Sequence, residues 1–444
     1  MKTAPINLNK YIEALEERYK LKVIGRVTQV IGLTIEVKGI SPFIGEICHI
    51  YLPHRKKPVI SEVVGFKNSS TLLMPLGELR GIGPGCRVYP TGKSLAVSVG
   101  SCLLGKILDG LGRPLNGKVG NNGQEYLVDK MPPDPLKRKR INEVLETGVR
   151  AIDGLLTCGQ GQRLGIFSGS GVGKSTLLGM MARNSSADVN VIALIGERGR
   201  EVGDFIEKDL GEKGLERSVV VVATSDQPAL VRVKGALVAT ALAEYFRDQG
   251  KNVLFMMDSA TRFAMAQREI GLAIGEPPTT KGYTPSVFAL LPRLLERSGT
   301  SDRGAITGLY TVLVDGDDMN EPIADALRGI LDGHIVLSRK LAAKNHYPSI
   351  DVLRSISRLM PDLTEGEQQK AAGKLREMLA TYEESEDLIN IGAYVSGTNP
   401  KIDGALKYLD SINSFLRQGM HEKSCFSETL ERLKENFNGK EGGN

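Results

Sequence analysis

Cysteine and histidine are scarce in this sequence, and neither residue forms the pattern of a structural or metal site. The five cysteines are odd in number and widely separated, with no CxxC or cysteine–histidine spacing. Such a set predicts neither a disulfide framework nor a zinc site. Scattered cysteines are typical of a reduced intracellular protein. The five histidines are equally scattered, so we assign a catalytic role to none of them.

The chain also lacks long hydrophobic runs and a strong excess of charge of either sign. No stretch approaches the roughly 18 to 20 apolar residues that a membrane-spanning helix needs. The N-terminus mixes charged residues throughout and has no apolar signal-peptide core. The formal net charge is only +5 over 444 residues, which argues against a dedicated nucleic-acid surface. We therefore expect a soluble, cytoplasmic protein that binds no nucleic acid.

Segments of different composition divide the chain, and the first two precede the main domain. Residues 1–20 repeat apolar side chains at helical spacing, which predicts a short amphipathic helix. This helix either packs on its own domain or serves as a docking helix for a partner. Residues 21–94 show short alternating stretches between polar turns, which predicts a small β-barrel or sandwich. The apolar positions of the first segment are Leu8, Tyr11, Ile12, Leu15 and Tyr19.

The other two segments predict an α/β domain followed by an α-helical domain. Within residues 95–361, six apolar runs alternate with helical stretches: RLGIFS, VNVIALIG, SVVVVAT, NVLFMMD, ITGLYTVLVD and HIVLS. Continuous apolar strands joined by crossover helices indicate a parallel sheet with helices on both faces. From 362 to 444 the strands stop and helical periodicity takes over. Thr364 and Glu367 have the T-x-x-E spacing of a capping box, which predicts a helix start.

The stretch FSGSGVGKST carries the strongest chemical signal. It follows an apolar strand and precedes a helix, which is the context that a phosphate-binding loop requires. Glycines let consecutive backbone N–H groups wrap a phosphate, and the helix N-terminus adds its dipole. Ser168 replaces the first glycine of the strict pattern, at a point where only a small residue is needed. The residues predicted to bind ATP or ADP are Gly169, Ser170, Gly171, Val172, Gly173, Lys174, Ser175 and Thr176.

Two acidic residues at strand ends turn this loop into a candidate hydrolytic site. Lys174 is expected to reach the β- and γ-phosphates, and the Ser175 hydroxyl to hold Mg²⁺. The run NVLFMM ends in Asp258, where a P-loop enzyme places a carboxylate that supports the metal. The run VIALIG leads into Glu197, a carboxylate that can orient a water for attack on the γ-phosphate.

Phosphoryl transfer of this kind also needs positive charge beyond the γ-phosphate, often from a neighbouring subunit. The stretch DVLRSISRLMP offers Arg354 and Arg358, and the pattern alone does not choose between them. An arginine placed for a neighbour would make catalysis depend on oligomerisation. We therefore expect a weakly active monomer and a homohexamer with much higher activity per chain.

Longer motifs then point to a family: GSGVGKST, IGERGREVGDFI, VVVATSDQPALVR, MMDSATRFAMAQREIGLAIGEPPTTKGYTPSVFALLPRLLERSG and YPSIDVLRSISRLMP. Together they resemble the type III protein-export ATPases, which are homologues of the catalytic subunits of rotary F- and V-type ATPases. The likeness covers nearly the whole chain and is densest from 95 to 361. The sequence of the fourth motif is most similar to that of the flagellum-specific export ATPase, and the injectisome ATPase is a close second.

The resemblance implies roles at the matching positions. Glu197 would be the catalytic carboxylate and would contact the metal through a water, while Asp258 would support Mg²⁺ from outside its direct ligands. Arg358 would be the finger that reaches into the neighbouring subunit's site. Arg198 and Arg262 would flank the γ-phosphate. The aromatic side chain expected to pack on adenine is Tyr347.

The same resemblance implies an assembly and a cellular role. The fold would be an N-terminal β-barrel that forms a hexamer ring, a RecA-like P-loop domain and a C-terminal helical domain facing a central coiled-coil stalk protein. Residues 1–20 would bind a stator-like regulator. The expected activity is Mg-ATP hydrolysis that energises export of unfolded flagellar proteins, with export substrates and chaperones as partners. The protein would associate peripherally with the inner face of the cell membrane, at the membrane complex of the export gate.

Other functions share this core. The injectisome type III secretion ATPase is the nearest alternative, and neighbouring genes would distinguish it. A rotary F/V-type subunit would work in a hetero-hexamer and would co-purify with a paralogous subunit. A ring helicase or RNA translocase would carry aromatic platforms and a basic stripe in its N-terminal domain. Phe43, Tyr51, Phe66 and Tyr89 do not cluster in this way in the sequence.

Overall fold

The computed structural model describes residues 23–117, 123–314, 316 and 318–437. The helix predicted within residues 1–20 lies outside the described residues. The chain divides into two compact units, Met1–Leu95 and Ala96–Asn444.

The first unit contains a closed β-barrel, so the barrel interpretation is confirmed over the sandwich. Its strands are β1 (Gly25–Ile31), β2 (Thr34–Lys38), β3 (Glu46–Tyr51), β4 (Val59–Lys67), β5 (Ser70–Pro75) and β6 (Arg87–Ser94). They follow the order β1-β2-β5-β4-β3-β6, and β6 pairs with β1 to close the barrel. Gly32 has a φ of 55° in the tight turn between β1 and β2, a conformation that favours glycine. Alternate side chains, among them Ile35, Ile50 and Leu73, fill the interior.

The second unit is built on a large sheet. Its strands are β7 (Ala96–Val99), β8 (Lys106–Asp109), β9 (Gln124–Leu127), β10 (Val144–Leu145), β11 (Cys158–Gly159), β12 (Arg163–Ser168), β13 (Val189–Ile195), β14 (Ser218–Ala223), β15 (Asn252–Asp258), β16 (Gly299–Thr300), β17 (Ala305–Leu313), β18 (Gly333–Leu337) and β19 (Ile350–Ser357). The main sheet has the order β19-β18-β12-β17-β15-β13-β14-β8, with β16 paired to β17. The six apolar runs that predicted strands all form strands of this sheet.

The sheet is parallel except at β16 and at one edge, where β19 runs antiparallel to β18. Every residue of β13 and β14 is buried. Because successive side chains of a strand point to opposite faces, complete burial means that both faces of these strands are covered. The expected parallel sheet flanked by helices is therefore confirmed. The edge strands β8 and β19 were missing from the prediction.

The helices of the second unit are α1 (Arg150–Leu155), α2 (Lys174–Asn184), α3 (Gly199–Asp204), α4 (Gly211–Glu216), α5 (Ala229–Asp248), α6 (Ala260–Ala273), α7 (Pro285–Leu295), α8 (Pro322–Ile330), α9 (Arg339–Ala343), α10 (Met360–Leu363), α11 (Gly366–Asn390), α12 (Pro400–Leu416) and α13 (Phe426–Phe437). A π-helical turn, Phe205–Leu210, joins α3 to α4. Short 3₁₀ turns cover Ser101–Leu103, Pro135–Lys137 and Thr280–Gly282.

The C-terminal helices pack on one another and on α1. Buried side chains such as Leu375, Phe415 and Phe437 join the core of the sheet domain. The capping box predicted at Thr364 was wrong. The Thr364 hydroxyl donates to the Met360 carbonyl at 2.7 Å and so closes α10, while α11 begins at Gly366 with Glu365 as its N-cap. None of the helices in the described residues is both long enough and apolar enough to cross a membrane.

Candidate active site

The candidate site lies where parallel strands of the main sheet end. The chain leaves β12 into the glycine-rich loop, leaves β13 towards Glu197 and ends β15 at Asp258. In the sheet, β13 is the direct neighbour of β15, with Leu194 opposite Asp258, and β17 separates β15 from β12. Because the carboxyl ends of parallel strands meet at one edge, residues far apart in sequence converge there.

The glycine-rich loop has a backbone conformation that depends on its glycines. Gly171 and Gly173 have φ values of 76° and 87°, in the left-handed region where glycine avoids a Cβ clash. The helix α2 then begins at Lys174, so its N-terminal N–H groups face the loop. The Ser349 hydroxyl donates to the Val172 carbonyl at 2.6 Å and fixes the middle of the loop from outside. This shape suits phosphate binding at a helix N-terminus.

A lysine and two carboxylates meet beside the loop. The Lys174 Nζ lies 2.5 Å from Asp258 Oδ1 and 3.7 Å from Glu197 Oε1. The Thr311 hydroxyl, from β17, donates to the same Asp258 oxygen at 2.7 Å. Arg262 brings its Nε to 3.3 Å from Glu197 Oε1, close enough for an ion pair. The strand order thus brings a cation that can bind phosphate to the two acids.

The Glu197 carboxyl is poised to change its charge near neutral pH. Burial, reinforced by the negative charge of Asp258 and a hydrogen bond with Glu201, raises the pKa of Glu197 to about 7. Lys174 and Arg262 act in the opposite direction but do not cancel this effect. The same hydrogen bond holds the pKa of Glu201 below its ordinary value. A general base is most effective when its pKa lies near the working pH.

One oxygen of Glu197 remains without a hydrogen bond among the described residues. Glu197 is only 7% exposed, and its buried Oε1 has no hydrogen-bond partner, because the nearby Arg262 Nε is not aligned to donate. The Lys174 and Arg262 cations lie within ion-pair distance of this oxygen, but a buried carboxylate oxygen without a hydrogen bond is costly until substrate or water supplies one. This oxygen therefore marks where the reacting species would be recognised.

Most of the predicted site residues line one cavity of about 500 Å³. Tyr347 forms one wall, and its ring lies so close to Gly173 that a Cβ added there would be 3.3 Å from it. The residues of the prediction that line the cavity are Gly169, Ser170, Gly171, Gly173, Lys174, Ser175, Thr176, Glu197, Asp258, Arg262 and Tyr347.

Four residues of the loop and its surroundings lie outside this cavity. Val172 is buried below the loop, and Ser168 is 2% exposed and lines a separate cavity on the other side of Gly169. Arg198 extends into solvent and pairs with Glu201 at 3.4 Å. Arg358 follows the edge strand β19, and its guanidinium donates to the Arg328 carbonyl.

Two residues that shape the cavity were not predicted from the sequence. Glu201 lines the cavity and shares a hydrogen bond with Glu197, and it lies in the motif IGERGREVGDFI. Its spacing of four residues from Glu197, at the start of a helix, was the available signal. Thr311 gave no signal, because its contact with Asp258 depends on the pairing of β15 with β17.

Comparisons with known protein families match three parts of the chain. The sequence matches the beta-barrel domain of the ATP synthase alpha/beta family over residues 27–92 and its nucleotide-binding domain over residues 148–357. Residues 364–435 match the T3SS EscN ATPase C-terminal domain.

Individual relatives cover almost the entire chain. The flagellum-specific ATP synthase of Bacillus subtilis is 58% identical over 424 residues, which is 95% of this chain and 97% of the relative. The type 3 secretion system ATPase of Xanthomonas euvesicatoria is 52% identical over 410 residues, which is 92% of this chain and 93% of the relative.

Solved structures extend the similarity to the fold. The assembled ATPase EscN of the enteropathogenic E. coli type III secretion system superposes with a TM-score of 0.87 at 46% identity and covers 93% of this chain and 100% of its own. A second structure, of EscN in complex with its central stalk EscO, gives a TM-score of 0.85 at 45% identity, again over 93% and 100% of the two chains.

Proposed function

The chain belongs to the ATP synthase alpha/beta family and is an ATP hydrolase of its flagellar and type III secretion group, and from this premise we propose that it works as a Mg²⁺-dependent homohexameric ring that energises export of unfolded flagellar proteins. The observation that carries the proposal is the convergence of Lys174, Glu197 and Asp258 beside the glycine-rich loop. The identity of 58% to a flagellum-specific relative supports the flagellar assignment.

Each group of the cavity has a task that follows from its chemistry. The loop N–H groups and Lys174 bind the β- and γ-phosphates, which draws Lys174 away from Asp258 and towards the substrate. Glu197 accepts a hydrogen bond from the attacking water through its free oxygen and takes up the proton as the bond to phosphorus forms. Arg262 stabilises the negative charge on the γ-phosphate oxygens. Tyr347 packs on the base.

The donor set of the cavity also fits Mg²⁺. Its candidate ligands are oxygen atoms of a hydroxyl and carboxylates, and Mg²⁺ prefers oxygen ligands while keeping several of its waters. Glu197 Oε1, which accepts no hydrogen bond among the described residues, is one such oxygen. Ser175 would hold the ion directly, whereas Asp258 and Glu197 would act through its waters. When bound, Mg²⁺ would offset the charge of the phosphates.

Arg358 is placed to act outside its own cavity. It is exposed, does not line the nucleotide cavity and follows the sheet-edge strand β19. An exposed arginine at a sheet edge supports a role in the nucleotide site of an adjacent copy, where it would act as an arginine finger. Arg198, which is also exposed, would respond to the γ-phosphate through its partner Glu201.

Assembly around a central stalk is part of the proposal. The relative EscN has been solved as an assembled ATPase and in complex with a central stalk. In this chain, the connection between α11 and α12 exposes apolar side chains, including Ile391 at 76% and Val395 at 64% exposure. Exposed apolar side chains in close sequence favour contact with another protein. We assign this connection to the stalk.

The segments of the chain divide the remaining tasks. Residues 1–20 would dock a stator-like regulator, residues 21–94 would form the ring, residues 95–361 would hydrolyse ATP and residues 362–444 would face the stalk. Export substrates, their chaperones and the membrane complex of the export gate would be the further partners. These partners would place the protein at the cytoplasmic face of the cell membrane.

The proposal is tested by separating nucleotide binding from turnover. Glu197→Gln should bind ATP as the wild type does and lose about 10²–10⁴-fold in turnover, because the amide cannot accept the proton of the attacking water. Lys174→Ala should lose ATP binding itself. Equilibrium binding of a fluorescent ATP analogue and phosphate release measure the two effects. Rapid hydrolysis by Glu197→Gln would remove Glu197 from its role.

A further inference from the structure

A buried amide joins the C-terminal helices to the wall of the nucleotide cavity. Gln418 lies just after α12 and is 5% exposed. Its backbone N–H donates to the carbonyl of Tyr347 at 2.9 Å. Tyr347 is the residue whose ring lines the nucleotide cavity beside Gly173. The backbone that carries this ring is therefore fixed by a residue of the C-terminal helical region.

The side chain of Gln418 is itself held at both ends. Its Oε1 accepts the backbone N–H of Arg150 at 2.9 Å, and its Nε2 donates to the carbonyls of Gly148 at 2.8 Å and Glu422 at 2.9 Å. The amide thus satisfies one acceptor and two donor positions in a buried place. Such fully satisfied buried networks are rigid, and losing one member leaves the others unpaired.

Arg150 donates further hydrogen bonds to the end of α12 and to the turn that contains Gln418. This arginine is 5% exposed, and its Nε donates to the Phe415 carbonyl at 3.1 Å. Its two other guanidinium nitrogens donate to the Arg417 carbonyl and to the Glu422 carboxylate. The end of α12 and the following turn are therefore held to the start of α1 by these hydrogen bonds.

We propose that Gln418 is a positioning residue that sets the ring of Tyr347 for the base and so connects the position of α12 to ATP affinity. The inference rests on the proposed function, because it takes the cavity beside Gly173 as the nucleotide site. The helix α12 spans 17 residues, or about 25 Å at about 1.5 Å per residue. Its N-terminal end adjoins the exposed apolar connection assigned to the stalk, so a displacement there reaches the base through Gln418.

The test compares two buried glutamines of the helical region. Gln418→Met keeps the shape of the side chain but removes the hydrogen bonds of the amide, which hold the backbone N–H of Gln418 in place against Tyr347. It should therefore raise the KM for ATP about five- to tenfold with little change in kcat. The matched control is Gln368→Met in α11. Gln368 is 3% exposed and donates to Asp153, Gly154 and Thr157, away from Tyr347. The control should lose thermal stability comparably and leave KM unchanged.

A double-mutant cycle separates positioning from general weakening. Tyr347→Ala removes the ring but keeps the carbonyl that Gln418 contacts, so adding Gln418→Met to Tyr347→Ala should raise KM no further. Inhibition by inorganic pyrophosphate, which has no base, should be unchanged in Gln418→Met. An additive double variant, a parallel loss of pyrophosphate inhibition or an equal KM rise in Gln368→Met would each overturn the proposal, as would an unchanged KM in Gln418→Met.

The same set of proteins distinguishes this inference from the proposed function. Full ATP binding by Lys174→Ala would mean that the nucleotide site is wrong. Loss of binding in Lys174→Ala together with an unaltered KM in Gln418→Met would refute only the role of Gln418. If Gln418→Met does not fold, Gln418→Asn provides the second variant, since it keeps an amide that is one methylene too short to reach its partners, and the same criteria apply.

Discussion

Replacing Glu197 by glutamine is expected to stabilise the nucleotide-free protein above neutral pH while it removes hydrolysis. Burial raises the pKa of Glu197 from its ordinary value of 4.5 to about 7, so folding disfavours the ionised carboxylate. At pH 8 the carboxylate is nevertheless mostly ionised in the folded protein. Glutamine has nearly the same shape, carries no charge and can still donate a hydrogen bond to Glu201.

The size and pH range of the effect follow from the pKa. The rise from 4.5 to about 7 corresponds to roughly 3 kcal/mol at about 1.36 kcal/mol per pKa unit. A raised carboxyl pKa destabilises the fold only where the unfolded chain has lost its proton, so the difference should be absent well below pH 4.5. It should grow between pH 4.5 and 7 and level off above. For a unit of roughly 350 residues unfolding with about 2.1 cal/mol/K per residue, the plateau is a Tm gain of roughly 4 °C.

The assay is the Tm of wild type and Glu197→Gln, without nucleotide, measured in steps from pH 4 to pH 9. Glu207→Gln makes the same chemical change at an exposed position one helical turn beyond α3 and serves as the control. The control separates the burial of Glu197 from a general effect of removing one negative charge.

A constant Tm difference across the pH range would refute this reasoning, because it would show a packing effect without linkage to protonation. A lower Tm for Glu197→Gln at pH 8 would refute it more directly. An equal gain in the Glu207→Gln control would attribute the effect to net charge.

Arg358→Ala should lower turnover about 10³-fold or more. Mixing these chains with Glu197→Gln chains should restore activity, because a mixed interface can combine the intact Glu197 of one chain with the intact Arg358 of its neighbour. No recovery in mixed assemblies would place Arg358 outside the neighbour's site. Gly173→Ala should weaken ATP binding in a fluorescence titration by at least about tenfold, because φ is 87° and the new Cβ would press on Tyr347; unchanged affinity would contradict the geometry of the loop. Ile391→Asp should keep basal phosphate release but abolish any stimulation by a coiled-coil stalk protein, and equal stimulation of both proteins would exclude the α11–α12 connection as the contact.

Much of the fold was predictable because its signals are local. Each buried parallel strand is a continuous apolar run, so six strands of the main sheet were recognised from the sequence alone. The edge strand β19 escaped recognition because it carries charged residues, Asp351 and Arg354, on a partly exposed edge. The helix start predicted at Thr364 was wrong because the same hydroxyl can cap a new helix or close the previous one. In the structure it donates to the Met360 carbonyl and closes α10.

The sequence by itself determined the loop, its lysine and the identity of the acids, because a glycine-rich turn and the end of a strand can each be recognised from a few consecutive residues. Only the tertiary structure decided which of these groups meet. The order β12-β17-β15-β13 brings Lys174, Asp258 and Glu197 together, whereas Arg358 lies apart from them, after the outermost strand β19. The same holds for Gln418, whose contact with Tyr347 joins residues 71 positions apart. Local patterns specify backbone conformation, whereas packing between distant segments specifies which side chains share a site.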